Sequence, residues 1–464
     1  MALTLLACAE AGRRWWPRLE PAHSRPLLPP WPWQRLQARG IGGPAPLARL
    51  TPGWRAQALG TPAALRYRAC WQSLPRTPWD LVVFDGRLVV GLGNAANEGA
   101  TANAGPVPVL AYDLQRGHWQ QEATLPEEEI SRFVVQGDTL WIAGADARGS
   151  WRWGNLYRKG SGAGWWWQER RLPGVIHAHD LAWHRGRRVV AGNVVDAVAT
   201  GPREQRHGSA LAVSADGGRR WQVERLRGWR ATALLPVEGG LYAVEALPGP
   251  ALRRWLEAGG RWQGFTAVRQ WQGGKQGEAM GHWRPRADLT PAVLLPGVAG
   301  AGERYGWIGE ATPSGSAVAW ITSLGPWRQD RASRSAFVAQ RLHPGAIDVR
   351  PISLEPGSQA MDLVAATSTA GRKQGPQWWL LSSRQLASGR WRSQISRVTT
   401  LGPSLRQEPG PSFEAPLPAW SLAGDGRRWF LGLGHPPFQS EPARGRCAAA
   451  AALSGTVVEL QRGS

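Results

Sequence analysis

From about residue 65 onward one short pattern returns roughly every 50 residues, and a chain built this way folds as side-by-side copies of one small unit. The pattern is a Gly-containing turn leading into a short apolar strand. It reads DGRLVVGLG from Asp85, GDTLWIAG from Gly137, RGRRVVAG from Arg185 and GGLYAVE from Gly239. Weaker copies are GERYGWIGE from Gly302, GPQWWLLSS from Gly375 and GDGRRWFLGLG from Gly424, which makes seven.

A second pattern lies between these copies: an apolar strand, a polar turn, then Gly and Trp. It ends at Trp119, Trp166, Trp221, Trp262 and Trp391. Gly permits the tight turn, and each Trp offers a large face to bury between neighbouring sheets. The segments are short, β-branched or aromatic, and bounded by Gly, Pro and Asp, with nothing that reads as a long amphipathic helix. Seven units of four strands predict an all-β chain, a single seven-bladed β-propeller over 65–464, with a six- or eight-bladed ring as the alternative. Two unrelated β-sandwiches would not carry one repeat through both halves. In the first unit the strands are expected at 79–85, 86–92, 107–113 and 118–124; the last unit's outer strands are expected at 447–453 and 456–460.

The stretch Ser214-Ala215-Asp216-Gly217-Gly218-Arg219-Arg220-Trp221 resembles the Asp-box, the S-x-D-x-G-x-x-W turn of sialidase-like propellers. The resemblance implies structural roles for Ser214, Asp216, Gly218 and Trp221: the carboxylate caps backbone N–H groups and the ring packs between blades. Residues 79–226 also resemble bacterial Asp-box-type propellers without an assigned reaction, through FDGRLVVGLGNAANEGATANAGPVPVLAYD, WRWGNLYR and LPGVIHAHDLAWHRGR. That implies a fold and no activity.

Residues 1–8 resemble a bacterial lipoprotein signal in which Cys8 would be acylated, giving an exported or membrane-anchored protein. The match departs from the pattern, since no Lys or Arg precedes a short apolar run; a start codon assigned too far downstream would account for both, and an ordinary apolar N-terminus is the other reading. Residues 9–64 are rich in Pro, Arg and Trp, which excludes regular helix and predicts an extended linker.

The net charge of +21 raises nucleic-acid binding, yet Lys occurs only at Lys159, Lys275 and Lys373, and the arginines are scattered. Abundant Trp, Gly, Pro, Ala and Arg are what a G+C-rich genome favours, so part of this charge reads as drift on a tolerant surface. No dedicated nucleic-acid role is expected; a basic surface could still hold the chain near anionic lipid or polysaccharide. The sequence has no GxSxG elbow, P-loop, dinucleotide fingerprint or CxxC pair, and no cofactor is expected beyond a cation in the central channel.

In a propeller the first strand of each blade lines the channel. Asp80, Arg132, Asp180 and Thr232 fall at its start in the first four units and Asp362 in a later one; the three carboxylates and Arg132 make a polar ring that would hold a cation or a sugar, or else bond the backbones of adjacent blades. The loops on one face of blades 1–3 hold all five Asn, namely Asn94, Asn97, Asn103, Asn155 and Asn193, with Asp146, His177 and His179 on the same face beside Trp151 and Trp153. Amides and carboxylates bond hydroxyls and Trp faces stack on sugar rings, so this face is a candidate site for a glycan or protein ligand. Asn and Gly also populate turns for conformational reasons alone. His177 and His179 with Asp146 or Asp180 offer metal-ligand types, but no third ligand is set by local spacing, and no metal is expected.

Cys70 precedes the first blade and Cys447 begins the last apolar stretch. Ring closure would bring them together, so a disulfide, and with it an oxidising compartment, is one expectation; two buried thiols are the other. The leading functional expectation is a non-catalytic, monomeric binding or assembly module. The alternatives are a sialidase-like carbohydrate hydrolase using channel carboxylates, for which no Tyr stands in a nucleophile context, and an assembly factor for a membrane complex, resembling propellers that help build photosystems.

Overall fold

The structure is a computed structural model that describes residues 23–27, 35–36, 45–96, 99–148, 153–164, 166–195, 207–226, 230–237, 239–248, 254, 266–273, 281–301, 304–325, 333–343, 346–366, 375–424, 427–437, 439–447 and 449–463. They form seven antiparallel sheets, each with a four-stranded core. Successive blades touch all the way round, with Ala419–Gly424 against Asp80–Phe84 completing the circle. The fold is a seven-bladed β-propeller.

Blade 1 is Asp80–Phe84, Arg87–Gly91, Val107–Asp113 and His118–Leu125, here called strands A to D from the axis outward. Blade 2 is Phe133–Gln136, Thr139–Ala143, Trp153–Gly160 and Trp166–Pro173. Blade 3 is Val175–His184, Arg187–Val195, His207–Ser214 and Gln222–Leu226. Blade 4 is Ala231–Val237, Gly240–Glu245, Val268–Gln272 and His282–Pro285. Blade 5 is Tyr305–Ser314, Ala317–Gly325, Ser333–His343 and Ala346–Pro351. Blade 6 is Gln359–Ala365, Gln377–Gln385, Trp391–Leu401 and Ser404–Ala415. Tight A–B turns such as Asp85-Gly86 and Arg185-Gly186 take positive φ at both positions, the twist that suits a two-residue hairpin.

Blade 7 corrects the expected closure. Its strands are Ala419–Gly424, Arg428–Leu433 and Thr456–Arg462, and its outermost strand is Trp54–Gly60, from the other end of the chain. Ala56 pairs with Leu460 and Ala58 with Val458. Residues 449–453, expected as an outer strand, form a short 3-10 turn, because four successive alanines carry no β-branched face to pair. The segment 9–64 is therefore not all linker: the ring reaches back to residue 54. The same segment also adds His23–Leu27 to the rim of blade 2 and Arg35–Leu36 to the rim of blade 1, while Ala48 and Thr51 bond Glu414 and Ser412 of blade 6.

Three repeat assignments shift. GERYGWIGE falls on strand A of blade 5, and strand B follows the next turn, at Gly315. The Gly–Trp hairpin ending at Trp391 is a B–C connection. The one ending at Trp262 precedes strand C of blade 4 and lies outside the described residues. The packing role of Trp holds at Trp119 and Trp166, both fully buried; Trp119 donates its indole N–H to the Leu59 carbonyl at 2.7 Å, fixing blade 1 to the closing strand.

Candidate functional site

In a propeller the D–A and B–C connections share one face, called here the loop face, and the A–B and C–D turns share the other. Strand A carries a bulge at its loop-face end in blades 3, 4, 6 and 7, between Ala178 and Asp180, Ala231 and Ala233, Ala360 and Asp362, and Ala419 and Ser421. A bulge re-aims the residue that follows it. Asp180 accepts the backbone N–H of Leu234 at 2.8 Å, Asp362 that of Leu422 at 2.6 Å, and Asp80 that of Phe133 at 2.6 Å. Each acceptor lies one blade before its donor. Thr232 is itself the bulged residue of blade 4, with Ala233 standing where Asp180 stands, so it does not join this ring.

Arg132 of blade 2 donates to Asp180 of blade 3 at 2.7 Å and to the Ala311 carbonyl of blade 5, on the far side of the axis. The channel is thus crossed by a guanidinium. Below it Glu310, in the left-handed region at φ 52°, pairs with Arg334 at 2.7 Å, and Arg334 lies over the Trp420 ring. Burial pushes the Asp80 carboxyl up to about 7 and holds Asp362 well above the usual carboxylate range, with Asp80 and Glu310 adding repulsion. Burial also raises Asp180, against the pull of Arg132.

The loop face of blades 1–3 brings together most of the expected residues. His177 Nε2 stands 3.0 Å from Asp146 Oδ2, and its Nδ1 stands 2.8 Å from Asn193 Oδ1. His179 Nε2 reaches the same Asn193 oxygen at 3.2 Å, and its ring meets Trp307 edge-on at 4.9 Å. Burial, with His177 and Arg230 nearby, holds His179 well below the usual imidazole range, so it is neutral. The two rings, two residues apart on strand A, share one face, as the strand period of two dictates.

Three glutamates complete this region. Glu127 is fully buried and accepts from Asn155 at 2.5 Å, Tyr157 at 2.6 Å and the Asp146 backbone at 3.1 Å. Gly144 admits it, since a Cβ there would lie 2.7 Å from Glu127 Oε1. Glu128 faces Arg148 at 3.5 Å, and Glu129 accepts from the Ala95 N–H at 3.1 Å. Burial pushes Glu127 and Glu128 up to about 8 and Glu129 to about 7, and the charge of Asp146 adds to each. The run Glu127-Glu128-Glu129 in so basic a chain was a visible signal. Tyr157 and Glu127 do form a Tyr–Glu pair, yet both are buried and burial raises Tyr157, the reverse of what a nucleophile needs.

Other expected residues have different work. Asn94 is buried and closes its own loop, donating to Thr101 O at 3.0 Å and accepting from Ala96 N at 2.9 Å. Asn103 sits at φ 52° and its carbonyl accepts from Arg148. Trp153 opens strand C of blade 2 and is half-buried. Asn97 and Trp151, like Cys8, lie outside the described residues. Among the described residues no three His, Cys, Asp or Glu side chains are placed to hold a metal ion. Asp180 is turned toward Arg132, away from the imidazoles.

On the opposite face, Ser214 donates to Asp216 at 2.9 Å and accepts from the Gly218 N–H, Asp216 accepts from the Arg220 N–H, and the Trp221 indole donates to Gly218 O at 3.0 Å. This is a turn held by its own side chains. Cys70 and Cys447 are joined in a disulfide, Cα to Cα 5.5 Å.

No family model matches the chain, and no curated protein matches it. Solved structures resemble it with little shared sequence. A mitotic checkpoint complex chain is 10% identical, covering 92% of this chain and 99% of that one, with a TM-score of 0.39. The β-propeller domain of the Trilobed protease from Pyrococcus furiosus is 12% identical over 69% of this chain and 77% of that one, TM-score 0.34. Hydrazine synthase of Kuenenia stuttgartiensis is 9% identical over 78% and 93%, TM-score 0.38. Likeness at this level carries nothing about activity.

Proposed function

We propose that the protein is a non-catalytic binding module whose ligand, a glycan or other polyhydroxyl, meets the loop face of blades 1–3. The observation that supports this is the chain Asp146–His177–Asn193–His179 beside Trp307: acceptors and donors in fixed positions next to an aromatic ring. The hydrolase alternative loses support from the channel, where Asp80, Asp180 and Asp362 are engaged with neighbouring blades and Arg132 crosses the axis. The turn at Ser214–Trp221 supports an Asp-box-type propeller, and the Cys70–Cys447 disulfide supports a place outside the cytoplasmic membrane. Calorimetric titration of the full chain against a glycan panel tests the reading. Binding lost in both His177→Ala and Asn193→Ala, with unchanged melting, is expected; equal binding by both variants overturns it.

A further inference from the structure

Two segments of the loop face carry the same short pattern, an Arg-x-Arg pair just before a cysteine: Arg66-Tyr67-Arg68-Ala69-Cys70 and Arg444-Gly445-Arg446-Cys447. One precedes strand A of blade 1 and the other lies between strands B and C of blade 7. The disulfide ties them together, so four arginines, each within four residues of one of its cysteines, stand on two linked loops. All four arginines are exposed, and among the described residues none is ion-paired. Like charges on linked loops repel, and the contacts these arginines make, Arg66 over the Tyr67 ring, Arg68 with the Leu65 carbonyl and Arg444 over Trp71, involve no acid.

The patch stands on a rigid base. Arg76 donates to the carbonyls of Tyr67 at 2.7 Å and Ala69 at 2.9 Å, and Ser73 bonds His435 at 2.9 Å. Glu441, the nearest acid in sequence to Arg444, is turned toward blade 1, where it accepts from Thr101. Two apolar groups accompany the charges. Arg444 lies over the Trp71 ring at 5.6 Å, and Leu65 is 36% exposed although large and apolar.

We propose that this patch docks the propeller on a bilayer containing anionic phospholipid, with the loop face of blades 7 and 1 toward the membrane. Guanidinium groups pair with lipid phosphates in two-point contacts, and Trp and Leu are residues that settle at the headgroup level. The charges stand on two linked loops of one face, whereas a nucleic-acid strand calls for a groove that tracks its backbone. The overall charge of +21 supplies long-range attraction to any anionic surface, and this cluster gives it an orientation.

Flotation of the full chain with phosphatidylglycerol/phosphatidylcholine vesicles, against phosphatidylcholine alone, is the test. The wild type should bind only the anionic vesicles, less as salt rises. The variant Arg66→Gln/Arg68→Gln/Arg444→Gln/Arg446→Gln should bind about tenfold or more weakly. A control on the opposite face, Arg185→Gln/Arg219→Gln/Arg220→Gln, should stay within about twofold of wild type. Equal losses in both variants overturn the proposal, as does wild-type protein that binds soluble heparin or an acidic protein but no vesicle. If the fourfold variant melts early, the two pairwise variants replace it, each with an intermediate loss expected and none overturning the idea.

Discussion

The carboxylate of Asp180 holds the backbone N–H of Leu234 at 2.8 Å, so blades 3 and 4 are joined at the axis by a side chain. The same carboxylate receives Arg132 from blade 2, which makes it the point where three blades meet. Replacing it with Ala strands a buried N–H and leaves the part-buried Arg132 guanidinium with only the Ala311 carbonyl. Asp180→Ala is expected to lower unfolding free energy by about 2–4 kcal/mol in urea titration, and Asp180→Asn, which keeps one acceptor, by less. Equal effects of the two would mean that the clasp is not electrostatic.

Stability should fall as pH rises from about 7.5 to 8.5, a window above the range in which ordinary carboxyls and imidazoles titrate. Glu127, Glu128 and Glu245 bind their protons up to about 8 and Asp80 and Glu129 up to about 7, while the unfolded chain has released them by about 5. The folded state therefore holds more protons, and raising the pH favours unfolding, by about 2 kcal/mol or more over the window. Below it the sign is mixed, because His179, His184 and His435 are held low and gain stability as pH rises through the imidazole range. Glu127→Gln should flatten the upper slope in melting curves; an unchanged slope would remove Glu127 from the account.

Closure rests on one ladder and one covalent link. A chain starting at residue 45 keeps Trp54–Gly60 and should melt cooperatively, whereas one starting at residue 65 loses the outer strand of blade 7 and should expose the Thr456–Arg462 edge to hydrogen exchange. Cys70–Cys447 encloses 377 residues, so reduction, or Cys70→Ser with Cys447→Ser, should cost about 2–4 kcal/mol. A melting temperature indifferent to reductant would show that the ladder alone closes the ring.

Much of this was legible in residues 79–226, where each copy has a Gly turn, a short apolar strand and a Trp that packs on the core, so local signals agree with one another. Blade number and the grouping of Asp146, His177, His179 and Asn193 followed from that. The closing strand was not legible: Trp54–Gly60 pairs with residues some 400 positions away, and no local pattern records a partner so distant. Nor were Glu310, Arg334 and Trp307, since blade 5 departs from the repeat at its first strand and a two-residue bulge carries Glu310. Thr232 was misplaced for a related reason: a bulge shifts the register by one, and sequence spacing does not show it.

The borrowed strand of blade 7 also sets an order of events on the ribosome. Trp54–Gly60 is made early, and its ladder partner Thr456–Arg462 emerges some 400 residues later. At roughly 5–20 residues per second the early strand waits some 20–80 seconds with an unpaired edge. The ring thus closes only once that later strand has been made, and a strand made early is among the last to find its partner.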